Sequence, residues 1–233
     1  MAKQSIKKPS RASHKQSTKD RIKEMAISLF NRHGYAAVSL YNIAMEMDMT
    51  RGNLTYHYKT KHVLLEEIGD EMWGKIHLER QKTRRLPSFE NLHNEVQLYY
   101  RYQQKYAFIF LDRHVQTLPA MNLRFRKMID QTIEDNKAAI AFAISAGNMK
   151  PEPIKGIYNN IAFNVWMLSF FWSAQEIIRK TQSPYGAETM MWSTLLPHFT
   201  KKGLKAFTAF FGEAYLDELG ESFDTDLRHI VAF

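Results

Sequence analysis

Residues 18–64, TKDRIKEMAISLFNRHGYAAVSLYNIAMEMDMTRGNLTYHYKTKHVL, decide how the chain must fold. Ile22, Ala26, Leu29 and Phe30 follow the i, i+4, i+7, i+8 spacing that lines one face of an α-helix. Ser17 and Asp20 match a capping box at its start, and Gly34 is a natural stop. Ser39 reads as the N-cap of a second helix with Leu40, Ile43, Ala44 and Met47 on one face. Thr50 caps a very short third helix that turns Leu54 and Tyr58 inward, and Thr60 caps a fourth, from Lys61 to about Lys82, ahead of Pro87. Three short helices in so little chain, two of them joined by a tight turn, are the layout of a helix-turn-helix.

The third helix carries the chemistry. A helix that enters the major groove of DNA needs a cap to start it, a small residue for close approach, and polar side chains whose donors reach base edges. In Thr50–Lys61, TRGNLTYHYKTK, Thr50 supplies the cap and Gly52 the close approach. Arg51 and Asn53 supply the readers, since Arg donates two bonds to guanine and Asn pairs both ways with adenine. Tyr56, His57 and Lys61 are placed to touch phosphates, Lys61 at a helix N-terminus whose dipole favours an anion.

Over about 45 residues this segment resembles the DNA-binding domain of the TetR family of regulators. Arg21-Ile22, Ala26, Leu29-Phe30, Gly34-Tyr35, Ser39, Ile43-Ala44, Gly52, Leu54, His57, Tyr58 and Lys61 fall in register with it. The resemblance implies that Arg51, Asn53 and either Thr55 or Tyr56 face bases, while Ser39, Tyr41, His57 and Lys61 face the DNA backbone. Two positions depart from the family. Its usual Ala-Gly at the turn is Met47-Asp48 here, and Asp tolerates the left-handed conformation less well than Gly. Where the family places a phosphate-contacting Tyr, this chain has Thr55 with Tyr56 beside it, which leaves either as the contact.

Charge agrees with a polyanion-binding head. Residues 1–62 hold 12 Lys/Arg against 4 Asp/Glu, whereas residues 63–233 hold 20 of each sign. The whole net charge of +8 therefore sits in the first quarter of the chain. Five of those charges belong to residues 1–17, which bury almost nothing and are expected to be a disordered arm. Cysteine is absent, so thiolate metal sites and cysteine nucleophiles are excluded, and a reducing compartment fits. No apolar run follows the N-terminal lysines as a signal peptide would require. The most apolar stretch, Ile161–Ala174, is too short for the ~20 residues of a membrane span. A cytoplasmic protein is expected, with no membrane association.

Beyond residue 64 the pattern stays helical, with breaks signalled near Pro119, at Gly147–Pro153, at Ser183–Gly186 and at Pro197, and segments expected at about 88–105, 107–117, 120–146, 154–181 and 187–216. The fold class is all-α: a three-helix head over 18–64 and a larger helical domain over 65–233. The resemblance implies that this larger domain binds an effector and forms a homodimer, usually through the last two long helices. In residues 157–178, IYNNIAFNVWMLSFFWSAQEII, apolar side chains cover nearly every face, so this helix is expected to be buried all round, against a core on one side and a partner or ligand on the other. Leu204, Phe207, Phe211 and Tyr215 form a second apolar seam. A dimer would cover both seams and set two recognition helices on a near-palindromic operator in double-stranded DNA. Tyr99, Tyr102, Tyr106, Phe110, His114, Asn160, Asn164, Trp166 and Phe170 are candidates for an aromatic pocket with polar handles, suited to a small apolar or aromatic effector.

Enzyme chemistry finds little support. Glu90-Asn91-Leu92-His93 is a single Glu-x-x-His without the mate that a di-iron site needs, and no zinc, phosphate-loop or nucleophile-elbow motif occurs. Neither a cofactor nor a metal is implied. The expected function is a transcriptional repressor released from its operator by a small molecule. The alternative is a DNA-bound structural or cell-organisation protein whose body docks a protein instead.

Overall fold

The computed structural model describes residues 17–83, 87–180 and 186–220. The basic arm expected over 1–17 lies, apart from Ser17, outside them, as does most of the break signalled at Ser183–Gly186. Among the described residues every regular element is helical, and the extended pairing of Met149 with Phe199 is an isolated bridge. The all-α expectation holds. The chain divides into two compact units, the first ending at Leu64 and the second beginning at Leu65.

In the first unit, α1 (Thr18–His33) starts where Ser17 Oγ accepts the Asp20 N–H at 3.1 Å. It stops at Gly34, whose φ of 80° turns its N–H back to Phe30 O. Helix α2 (Leu40–Glu46) has a full reciprocal cap: Ser39 Oγ accepts the Asn42 N–H at 3.2 Å, and the Ser39 N–H donates to Asn42 Oδ1 at 2.8 Å. Asn stands where Glu or Gln is usual at this position of a capping box. Helix α3 (Arg51–His57) begins at Thr50, whose hydroxyl accepts the Asn53 N–H at 3.2 Å. Between α2 and α3 the chain reverses through Asp48 at φ 51°, with Met49 N–H donating to Ala44 O at 2.9 Å. Ile22, Ala26, Phe30, Ile43, Leu54 and Tyr58 are fully buried or nearly so, and they form the core that fixes the three axes.

Helix α4 (Lys61–Thr83) opens in the first unit and supplies the second with its residues from Leu65 onward. The second unit continues with α5 (Phe89–Lys105), α6 (Ala107–Leu111), α7 (Arg113–Thr117), α8 (Pro119–Ser145), α9 (Ile157–Arg179), α10 (Ala187–Leu195), a 3-10 turn (Leu196–His198), α11 (Lys201–Phe211) and α12 (Glu213–Leu219). Aromatic rings dominate its packing. Trp73, Phe110, Phe125 and Phe170 form one cluster with centroids 5.5–6.0 Å apart. Phe89, Trp192, Phe199 and Phe207 form another. Arg80 on α4 pairs with Glu95 of α5 at 2.8 Å and Asp135 of α8 at 2.6 Å, a polar tie among three helices.

Two expectations change here. The 107–117 segment is two helices, because Asp112 leaves the helical conformation and caps α7 through the His114 N–H at 2.9 Å. The 187–216 segment is not one long helix. It breaks at Pro197, as that proline signalled, in a 3-10 turn after which Thr200 recaps the chain, and breaks again without a sequence signal at Gly212 with φ 90°. In α9 the single chain covers one of the two sides. Ile161, Val165 and Trp172 face inward, while Phe163, Met167, Phe171 and Ile178 form a stripe 40–81% exposed along the opposite side. Of the C-terminal seam, Phe207 is fully buried and Phe211 and Tyr215 pack against the same core, which leaves Leu204 and Phe210 as the exposed apolar residues of α11.

Candidate nucleic-acid interface

Leu54 is the fully buried residue of helix α3, and Thr55 and His57 are half-buried. Arg51, Gly52 and Asn53 are exposed in its first turn. Tyr56 is 86% exposed, with its ring edge against His57 at 5.4 Å. Ser39 and Thr50, both exposed, spend their hydroxyls on helix caps, and Tyr41 on α2 is 54% exposed. A concavity along Ala36–Leu40 gathers Ser39, Tyr41, Arg51 and Lys61, four of the residues singled out from sequence. Its other walls, Ala36, Ala37 and Val38, carry no functional signal in the sequence because only their backbone and small side chains contribute. The described head is modestly basic, with 7 Lys/Arg and 4 Asp/Glu over residues 17–64.

Two of the candidate contacts are occupied within the protein. The Thr55 hydroxyl donates back into its own helix, to Arg51 O and Gly52 O, both at 3.0 Å. The Lys61 ammonium donates to Tyr35 O at 2.7 Å, Ala36 O at 3.3 Å and Val38 O at 2.7 Å, and sits 4.3 Å from the centre of the Tyr35 ring. A lysine has three donors, and all three are used. In the chain without DNA, the Lys61 ammonium thus ties the segment after α1 to the start of α4. Between Thr55 and Tyr56, Tyr56 is the side chain presented outward.

The model described as "Bacterial regulatory proteins, tetR family" matches residues 22–68, and the TetR model described as "Bacterial transcriptional repressor" matches residues 75–207, more than half of the chain. The chain belongs to the TetR family. The probable HTH-type transcriptional regulator YttP of Bacillus subtilis is 37% identical over 59 residues, covering 25% of this chain and 28% of that protein. The regulator QacR of Staphylococcus aureus is 31% identical over 126 residues, covering 50% of this chain and 65% of QacR. The chain thus aligns with less than two thirds of the length of either relative. Among solved structures, a TetR-family regulator from Marinobacter aquaeolei VT8 superposes with a TM-score of 0.71 at 19% identity, over 86% of this chain and 99% of that one. A SmeT–triclosan complex superposes at 0.58 with 14% identity, over 80% and 93% of the two chains. Both show that the TetR architecture extends through the helical unit.

The nine residues expected to line an effector pocket scatter within that unit. Phe110 and Phe170 join the Trp73 cluster, with Trp166 stacked beyond Phe170. Tyr99 and Tyr106 are buried, and Tyr102 stacks on Tyr106 while donating its hydroxyl to Glu79 at 2.7 Å. Burial, and then that bond to Glu79, pushes the Tyr102 hydroxyl pKa above its ordinary range. His114, Asn160 and Asn164, the expected polar handles, are exposed. A cavity of about 270 Å3 does form in the helical unit, but none of the nine lines it. Its polar lining residues are Ser88, Asn136 and Asn148, which sequence reading passed over because isolated Asn and Ser carry no period.

Proposed function

We propose that this chain is a transcriptional repressor that reads DNA with α3 and is released by a small molecule bound in its helical unit. The observation that carries the reading is the outward face of α3: Arg51, Asn53 and Tyr56 exposed on a helix that is capped by Thr50 and anchored by Leu54. Arg51 and Asn53 read base edges, Gly52 permits close approach, and Tyr56 joins them from the next turn. Ser39, Tyr41, Thr50 and His57 meet the sugar–phosphate backbone and set the register. Thr55 and Lys61 support the surface without touching DNA. Membership of a regulator family supports reading it as a regulator rather than an enzyme, and a cytoplasmic location goes with that reading. The family's repressor model over residues 75–207, and a SmeT complex holding triclosan in the same fold, support a small-molecule effector.

The helical unit also makes the chain a homodimer, through the exposed stripe of Phe163, Met167 and Phe171 on α9. Two copies then place two α3 helices on the half-sites of a near-palindromic operator. Footprinting on the DNA flanking the protein's own coding region tests the reading. A protected near-palindrome is expected, with Arg51→Ala weakening specific binding by about 1–3 kcal/mol and relaxing sequence preference. Arg51→Ala binding its site as tightly as the parent would refute the assignment of α3.

A further inference from the structure

The cavity in the helical unit is a built site. Its walls are apolar: Phe89 and Leu92 of α5, Ile140 of α8, Val165 of α9, Trp192 of α10, and Phe199 beyond it. Among the described residues, no Asp, Glu, Lys, Arg or His lines it, so an ionised ligand would find no countercharge among them. Two of its three polar side chains are already engaged: Ser88 Oγ caps α5 through the Asn91 N–H, and Asn136 Nδ2 donates to Ala162 O at 3.1 Å. The third is not. Asn148 Oδ1 is buried with no hydrogen-bond partner, an arrangement that costs about 1–3 kcal/mol unless something completes it.

The fold holds Asn148 rigidly in place. Its N–H donates to Ala143 O at 2.8 Å, and its carbonyl accepts the Thr200 N–H at 2.9 Å and the Thr200 hydroxyl at 3.3 Å. A methyl on Gly203 would fall on that same carbonyl, so glycine is what lets α11 approach it. Neighbouring Lys150 N–H adds a bond to His198 O at 2.8 Å. On that anchored backbone, one unpartnered side-chain acceptor among aromatic and aliphatic walls gives a ligand a single orienting contact.

We infer that this cavity binds a small, neutral, largely apolar molecule whose one hydroxyl or amide N–H donates to Asn148. Since a cavity of ~150 Å3 holds benzene, this volume suits a molecule of roughly ten non-hydrogen atoms, one or two fused rings in size. The inference names the ligand class for the effector reading above and rests on that reading only for the link to DNA; binding itself is separate.

Isothermal titration of the full chain with 2-naphthol, against naphthalene and 2-naphthoate, tests it. Expected are one 2-naphthol site and at least tenfold weaker binding of both controls. Asn148→Ala should lower 2-naphthol affinity at least tenfold without changing that of naphthalene, and cavity-filling Ala143→Phe should abolish both. Thermal melts establish that each variant folds; Asn148→Ala leaves the apolar walls untouched and carries the test if Ala143→Phe does not. No binding of 2-naphthol to the parent near its aqueous solubility, or binding indifferent to Asn148→Ala, overturns the inference. If 2-naphthol binds as described yet never alters DNA affinity, the site stands and the effector role falls. Release from DNA by a compound that still binds the folded Ala143→Phe variant overturns the site and leaves the effector role standing.

Discussion

A residue's type announces what it can do, and its neighbours decide which of those things it does. Lys61 reads in the sequence as a cation at a helix start facing DNA; in the fold its ammonium is enclosed by the carbonyls of Tyr35, Ala36 and Val38. Replacing it with Met keeps the stem over the Tyr35 ring and removes the donors, leaving those carbonyls short of a partner. The expected loss is about 1–3 kcal/mol of head stability. Hydrogen exchange is the readout, because the tryptophans all lie beyond residue 64 and do not report on the head. Amides of residues 36–40 should exchange faster in Lys61→Met, and unchanged protection there would show that the ammonium is dispensable. Thr55 and Tyr56 teach the same lesson: sequence left the two equivalent, and only the back-bonding of the Thr55 hydroxyl to Arg51 O and Gly52 O separates them.

At the scale of elements, caps and the proline-marked breaks near Pro119, Pro153 and Pro197 were legible, and two other interruptions were not. Ser17, Ser39 and Thr50 announce helix starts because capping is local chemistry within three residues, and the structure places each as read. Breaks at Asp112 and Gly212 stayed hidden because apolar spacing continues across them, and only tertiary packing shows that the chain turns. Asp48 sits between these cases. Its φ of 51° shows the left-handed turn that the Met47-Asp48 departure requires. Asp48→Val should destabilise the head by about 1–2 kcal/mol in denaturant melts, with Asp48→Gly equal to the parent or better. A second element-level case is His93 on α5, whose Nδ1 accepts the Trp192 indole N–H at 3.3 Å and so must be unprotonated. Burial lowers its pKa from the ordinary 6.5, against a smaller opposing pull from Glu188. Stability from this group is then full above about pH 6.5 and falls on acidification, as the unfolded chain takes up a proton that the folded one resists. Thermal melts at about pH 7.5 and 5.5 should show a smaller acid-induced drop for His93→Gln than for the parent. Equal drops would place the acid sensitivity elsewhere.

For the whole molecule, the question is what the outer face of α9 is for. Sequence showed a helix apolar on every side and therefore implied burial on every side; the fold of one chain buries only half of it. Phe163, Met167 and Phe171 recur every fourth residue, which sets them in line, and each is 40% exposed or more. The C-terminal seam that sequence offered as a partner surface faces inward through Phe207, so in the dimer proposed above the contact between copies would fall chiefly to α9. Burying a side chain of this size contributes about 1.5–3 kcal/mol, and two-fold symmetry counts each residue twice. A charge in the middle of such a stripe would be desolvated without a partner in both copies. Phe171→Glu should therefore give a folded monomer at micromolar concentration by light scattering, with the tryptophan-reported melt of the helical unit retained. Because each head alone contacts one half-site, the monomer should also bind a full palindrome no better than a half-site. A Phe171→Glu protein that remained dimeric and bound the palindrome like the parent would take α9 out of the interface and leave its exposed rings needing another partner.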